Sequence, residues 1–311
     1  MATASPTTGM DIRDPLEIYK SVRGLGADEF EGILERAIEL LGQEDGSCGQ
    51  LQRRGGVVRI TSSSGQLVVI GDIHGDYDAI GSILAGPAPA ALERGALVFL
   101  GDYVDRGPDQ VEALAVVLSL KLEYPQSVVI LRGNHEPPPW LMPVPHDYPD
   151  VLASRFGDRS AALHGLSMDL FQRLPHAAVS GNGVFMVHGG PPSEPRRLDE
   201  IERPGREDLE DMLWGDPTPL PGSAPSPRGA GHLYGPDVTA RFLSENGLSA
   251  IVRSHEPCDG YRIDHGGRVI TVFSRRGPPY LNRAAGYFRA DMSEPLGSPE
   301  SHLFLLEFHP T

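Results

Sequence analysis

Cysteine is scarce in this 311-residue chain, with only Cys48 and Cys258 present, one early and one late. Two scattered thiols exclude a disulfide framework and a zinc–thiolate site. No apolar run is long enough to span a bilayer. The opening stretch MATASPTTGMDIRDPLEIYK has neither an apolar core nor a leading basic cluster, so no secretory signal is read there. Basic residues are also in deficit: 27 Lys and Arg stand against 42 Asp and Glu, for a formal net charge of −15. That balance argues against a nucleic-acid-binding face, which needs a basic stripe to neutralise phosphates, and reads as solubility. The default expectation is a cytoplasmic protein with no nucleic-acid or membrane partner; the oligomeric state is left open.

What is present is a chain of 40% hydrophobic residues with 29 prolines and 37 glycines, which points to many ordered loops between apolar elements. Length alone allows one large core or two smaller ones. Residues 1–15 read as a flexible lead. Over 28–42, DEFEGILERAIELLG, apolar residues at Phe30, Ile33, Leu34, Ala37, Ile38 and Leu41 keep helical spacing and a glycine closes the run. Residues 1–55 are therefore taken as an N-terminal extension with an amphipathic helix, and 56–311 as the catalytic domain.

Five short runs follow that each read as a buried strand: QLVVIGD (66–72), ALVFLGD (96–102), SVVILRGN (127–134), GVFMVHGG (183–190) and SAIVRSHE (249–256). Helical patterns separate the first three, as in DQVEALAVVLSLKLEY, and this alternation marks βαβ units. The expected fold is a layered α/β domain of two packed β-sheets flanked by helices, with its later strands more antiparallel. Two loops stand out, PPPWLMPVPHDYP (137–149) and GDPTPLPGSAPSPRGAGHLYGP (215–236).

Each of the five runs carries an Asp, Asn or His at its carboxyl end: Asp72 with His74, then Asp102, Asn134, His188 and His255. Layered α/β folds place ligand sites outside the carboxyl ends of strands, so these side chains can converge. Singly, an Asp or Asn after a strand is most often a turn residue or a helix N-cap. Five strand ends together are not explained that way. The set is one of oxygen and nitrogen ligands without thiolate, suited to Mn, Fe or Zn. With one carboxylate shared, it fits two ions ~3.5–4 Å apart, the arrangement used for phosphoryl transfer to water.

In order, GDIHG (71–75), GDYVDRG (101–107), RGNHE (132–136), HGG (188–190) and IVRSHE (251–256) resemble the motifs of the metal-dependent phosphoprotein phosphatases, the serine/threonine phosphatase branch of the calcineurin-like metallophosphoesterase superfamily. The resemblance runs from about Gln66 to about Gly286 and includes MLWGDP (212–217). It implies a calcineurin-like metallophosphoesterase fold and hydrolysis of phosphoserine or phosphothreonine in proteins by direct attack of water activated at a dinuclear site. Asp72, His74 and Asp102 would hold the first ion, and Asp102, Asn134, His188 and His255 the second, with Mn first in expectation and Fe or Zn as alternatives. His135 would be the general acid, oriented by Asp105, while Arg106 and Arg228 would clamp the phosphoryl oxygens. Glu136 is read as orienting its neighbours.

The chemistry agrees. A phosphomonoester dianion repels hydroxide, so positive charge must gather at phosphorus, and a poor leaving group needs a proton from a positioned acid. Arginine suits the oxygens because its planar fork pairs bidentately with phosphate.

Three departures touch specificity. Asp76 stands where Gln is usual after GDIHG. The proline-rich loop replaces a more polar segment. TVFSRRGPPYLNRAAG stands where relatives carry a SAPNY-type loop, so that Tyr280 lies two positions beyond the expected tyrosine. The alternatives are a diadenosine polyphosphate or other nucleotide hydrolase on the same scaffold, and an inactive phosphoprotein-binding scaffold.

Overall fold

The computed structural model describes residues 13–308. The lead expected at 1–15 lies largely outside the described residues; the description begins just before a short helix, Pro15–Ser21, whose N-cap Asp14 accepts a hydrogen bond from the Leu16 amide.

Two mixed sheets stack face to face. One has five strands, in the order Leu303–Leu305, Gly286–Asp291, Gln66–Ile70, Gly95–Phe99 and Val128–Ile130. The other has eight, in the order Gly46–Cys48, Leu51–Arg54, Val57–Ile60, Ala177–Ser180, Val184–Val187, Ala250–Arg253, Val269–Val272 and Tyr261–Asp264. A small sheet of Ser223–Pro225, His232–Tyr234 and Asp216–Pro217 organises the long loop after Trp214.

The uninterrupted apolar character of the strands has a direct cause. Successive side chains of a strand point to opposite faces, and here both faces are buried. In Gln66–Ile70, Leu67 and Val69 enter the core between the sheets. Val68 and Ile70 enter a second core beneath the helices. Across the sandwich, Val184, Met186, Val252 and Ile270 face inward, while Phe185, Val187, Ile251 and Val269 form a third core under helices Arg206–Trp214 and Pro236–Asn246.

The helix expected at 28–42 runs Ala27–Gln43, with the Glu29 carboxylate accepting from the Gly26 amide at 2.8 Å. Its buried stripe is Phe30, Ile33, Leu34, Ala37 and Leu41, packed on helices Gln110–Glu123 and Ser160–Arg173. Two strands that precede residue 56, Gly46–Cys48 and Leu51–Arg54, continue the eight-stranded sheet. The later strands, expected to be more antiparallel, are mixed. Ala250–Arg253 runs parallel to both neighbours: two helices carry the chain across from Val184–Val187, and the edge strand Tyr261–Asp264 carries it on to Val269–Val272. Tyr261–Asp264 and Gly286–Asp291 pair antiparallel. Among the described residues no helix is long and apolar enough to cross a membrane.

Candidate metal centre at the strand ends

Five strands, three from one sheet and two from the other, deliver their carboxyl ends to one place. Asp72, His74, Asp102, Asn134, His188 and His255 meet there, none more than 6% exposed. The turns that aim them are unusual. Among the described residues six non-glycine residues have φ in the left-handed region, and five are at this site: His74 (43°), Asp102 (58°), Asp105 (65°), Arg106 (72°) and His255 (70°). Such backbone is held only where surrounding contacts over-determine it, and it concentrates at functional sites. Glycine is required where two of the turns touch: a Cβ on Gly133 would strike the Asp102 carboxylate and amide, and one on Gly101 would strike the Gly133 backbone.

The ligand atoms fall into two groups that share Asp102. In the first, His74 Nε2 lies 3.5 Å from Asp72 Oδ2 and 3.3 Å from Asp102 Oδ2. In the second, His188 Nε2 lies 3.5 Å from Asp102 Oδ1 and 2.9 Å from Asn134 Oδ1, and His255 Nδ1 lies 3.0 Å from the same Asn134 oxygen. Atoms bound to one ion at ~2.0–2.2 Å sit ~3–3.5 Å apart, so this spacing fits shared ligation.

The outward nitrogens agree. His74 Nδ1 is 2.8 Å from the Val104 carbonyl, which fixes its proton there and leaves the Nε2 lone pair facing the carboxylates. His255 Nε2 points toward Asp216 at 3.9 Å. Burial, aided by His188, Arg228 and Arg253, holds His255 down at about 3 despite Asp216, and burial also lowers His188, which favours the neutral ligating form at both. Against its burial, the histidines His188, His135 and His74 keep Asp102 well below the usual carboxylate range. The donor set fits two metal ions: buried carboxylates, an amide oxygen and three imidazoles converge, and His74 is held well above its usual value against its burial by Tyr280, Asp102 and Asp72, as a ring facing carboxylates would be.

Beside this cluster stands a second one. His135 Nδ1 is 2.5 Å from Asp105 Oδ2, and the His135 amide donates to Asp102 Oδ1 at 2.9 Å. Hydrogen bonds from His135 and His146 hold the Asp105 carboxyl below its ordinary range although it is buried. Glu136 has no exposure, burial and the neighbouring Asp102 push its carboxyl up to about 8, and its oxygens accept from the amides of Asp102 (2.7 Å), Tyr103 (2.8 Å) and Gly133 (3.1 Å). It ties the Asp102 turn to the Asn134 turn, which gives the orienting role expected of it a physical form.

The two arginines differ. Arg106 Nε is buried without a hydrogen-bond partner among the described residues, while its amide donates to Asp147 Oδ1 at 3.0 Å. Arg228 Nε donates to Asp216 Oδ2 at 2.7 Å, and the same carboxylate accepts from the fully buried Arg253 at 2.9 Å. Arg228 is thus tethered on the His255 side of the cluster. Tyr280 also reaches the site, its ring 5.7 Å from that of His74 and 5.0 Å from that of Phe273. Asp76 acts locally: Oδ1 caps helix Tyr77–Ala85 through the Ala79 amide, and Oδ2 accepts from the Arg276 amide.

Four contributors were missed by sequence reasoning. Ser254 Oγ lies 2.5 Å from Asp72 Oδ1, Asp216 and Arg253 hold the far side, and His146 Nδ1 sits 2.7 Å from Asp105 Oδ2. Ser254 and Arg253 precede a singled-out histidine directly, and that adjacency was the available signal. His146 had none.

Residues 65–259 match the model of the calcineurin-like phosphoesterase family. A probable serine/threonine-protein phosphatase of Encephalitozoon cuniculi is 38% identical over 83% of this chain and 55% of its own length. Human serine/threonine-protein phosphatase 5 is 35% identical over 79% of this chain and 50% of its own. The chain thus spans about half the length of these relatives. A solved protein serine/threonine phosphatase from Saccharomyces cerevisiae, described as similar to human phosphatase PP5, superposes with a TM-score of 0.70 at 27% identity, covering 85% of this chain and 82% of that one. A match over more than half of the chain, on a site of this geometry, makes the protein a member of the calcineurin-like phosphoesterase family.

Proposed function

We propose that this chain is a metal-dependent serine/threonine protein phosphatase, hydrolysing phosphomonoesters of phosphoserine and phosphothreonine in protein substrates. The observation that carries the reading is the pairing of a six-residue ligand cluster with a His135–Asp105 dyad that meets it at Asp102. Relatives named as serine/threonine phosphatases support it.

Asp72, His74 and Asp102 hold one ion in this reading, and Asp102, Asn134, His188 and His255 the other. When bound, the two ions supply positive charge at the phosphoryl oxygens and lower the pKa of water from ~15.7 toward ~7. Ligands of this hardness suit manganese, which we propose as the native ion over iron or zinc. Arg106 and Arg228 bind the remaining phosphoryl oxygens. Arg106 is the stronger candidate for direct contact because its Nε has no other partner among the described residues, whereas Arg228 is oriented by Asp216. His135, its Nδ1 committed to Asp105, presents Nε2 to the departing oxygen and protonates it.

The test is phosphate release from phosphoserine, phosphothreonine and phosphotyrosine peptides and from a diadenosine polyphosphate, with each metal. Turnover of the first two substrates, abolished by chelation, is expected. Turnover of the diadenosine polyphosphate alone, or of phosphotyrosine alone, overturns the reading.

A further inference from the structure

Near its end the proline-rich stretch at 137–149 carries three residues, His146, Asp147 and Tyr148, that all bond to the turn carrying Asp105 and Arg106. His146 Nδ1 meets Asp105 Oδ2 at 2.7 Å, and the Tyr148 amide donates to Asp105 Oδ1 at 2.8 Å. Asp147 accepts from the Arg106 amide at 3.0 Å and from Gln110 Nε2 at 3.2 Å. Asp105 and Arg106 are the consecutive left-handed residues at φ 65° and 72°. Backbone of that kind is strained in residues other than glycine and persists only under restraint from outside.

Within this clamp His146 is distinctive. A carboxylate only accepts, so the His146 proton must sit on Nδ1. Its Nε2 is buried without a partner among the described residues, which leaves Asp105 as the hydrogen-bond partner of the ring. The loop does not depend on that bond for anchorage: Tyr148 is fully buried with its hydroxyl 2.9 Å from Ser167 Oγ, and Asp147 makes two further bonds. What the bond does fix is Oδ2, the same oxygen that faces His135 Nδ1 at 2.5 Å.

We propose that His146 is a positioning residue for His135, holding the Asp105 carboxylate in the orientation that keeps the His135 proton on Nδ1 and turns Nε2 toward the leaving oxygen. The inference rests on the proposed phosphatase reading for its kinetic consequence. The chemistry asked of His146 is an N–H donor at one point, so Asn, whose side-chain amide donates from a similar place, is the conservative replacement and Leu the one that deletes the donor.

The test compares His146→Asn, His146→Leu and the parent on a phosphoserine peptide and on an aryl phosphate with an acidic phenol. In His146→Leu, kcat on the phosphopeptide is expected to fall ~10–100-fold with KM little changed, and to fall far less on the aryl phosphate, whose leaving group needs no proton. His146→Asn should recover most of the loss. Equal losses on both substrates, no loss on either, or an Asn variant as impaired as Leu overturns the proposal. A second arm needs no turnover: in ¹⁵N-histidine-labelled protein loaded with diamagnetic zinc, the His135 Nδ1–H resonance should shift or broaden in His146→Leu and persist in His146→Asn. An unchanged resonance in His146→Leu also overturns it. If the parent fails on phosphoserine while the resonance behaves as expected, the phosphatase reading falls and the positioning role stands.

Discussion

His135 Nδ1 stands 2.5 Å from Asp105 Oδ2 across 30 residues of chain, and the amide of the same histidine is bonded to Asp102. One residue thereby links the carboxylate that both candidate ligand groups share to the carboxylate that would orient the proposed acid. A general acid matters most for a poor leaving group. His135→Ala is expected to lower kcat ~10²–10⁴-fold on a phosphoserine peptide and much less on an aryl phosphate of low phenol pKa. Equal losses on both would assign His135 to binding or folding.

Asp102 presents Oδ2 to His74 and Oδ1 to His188, and so is the carboxylate common to both groups. Asp102→Asn should weaken the retention of both ions, whereas His74→Ala should release mainly one. Metal content by native mass spectrometry measures this. Two ions retained in Asp102→Asn, with near-parent turnover, would end the bridging assignment.

Trp140 and Met142 are 37% and 41% exposed, and the Arg206 guanidinium lies over the Trp140 ring at 5.1 Å. The loop is pinned instead by its buried prolines Pro137, Pro138 and Pro143 and by Tyr148. Trp140→Ala is expected to raise KM for phosphopeptides several-fold and to leave small aryl phosphates nearly untouched. An exposed cation–π contact is worth only ~0.5–1 kcal/mol, so Tm should move by no more than a few degrees. A large fall in Tm with uniform kinetic losses would make Trp140 a structural residue.

His176 supplies a pH prediction away from the metal cluster. Burial, with help from Arg132 and Arg53, holds this histidine at about 4 although its Nε2 bonds the Ile201 carbonyl at 2.7 Å. The ordinary value is about 6.5, so between those two values the unfolded chain takes up a proton that the folded one refuses. The folded state is therefore destabilised as pH falls from about 6.5 toward about 4, by as much as ~3 kcal/mol in total, and the full contribution of the neutral ring is present above that window. Denaturant midpoints of the parent should drop more steeply between pH 7 and 5, two values chosen to straddle the ordinary histidine range, than those of His176→Gln. Parallel curves would show that His176 does not drive the acid sensitivity.

Local sequence carried a good deal of this. Unbroken apolar runs ending in GD, GN and HG marked strands whose carboxyl ends open on a ligand, because a strand buried on both faces has no solvent-facing alternation. The stripe from Phe30 to Leu41 located the N-terminal helix for an equally local reason, since residues three and four apart share one helix face.

Packing decided what spacing could not reach. Which of Leu67 and Val68 faces the second sheet follows from strand pairing, not from two equally apolar side chains. His146 is 41 residues from Asp105, and Arg275 donates to the His74 carbonyl across 201 residues. Glu136 reads in sequence as a polar neighbour of a candidate acid, yet it accepts amides from a turn more than 30 residues away. Tyr280, displaced by two positions in the motif, still arrives beside the His74 ring because the intervening RRGPP segment loops back. The amino-acid sequence thus picked out the candidate ligands, since each follows the end of its own strand within four residues. Only the tertiary structure decided which groups orient them, because hydrogen bonds between irregular loops depend on where distant backbones come to rest.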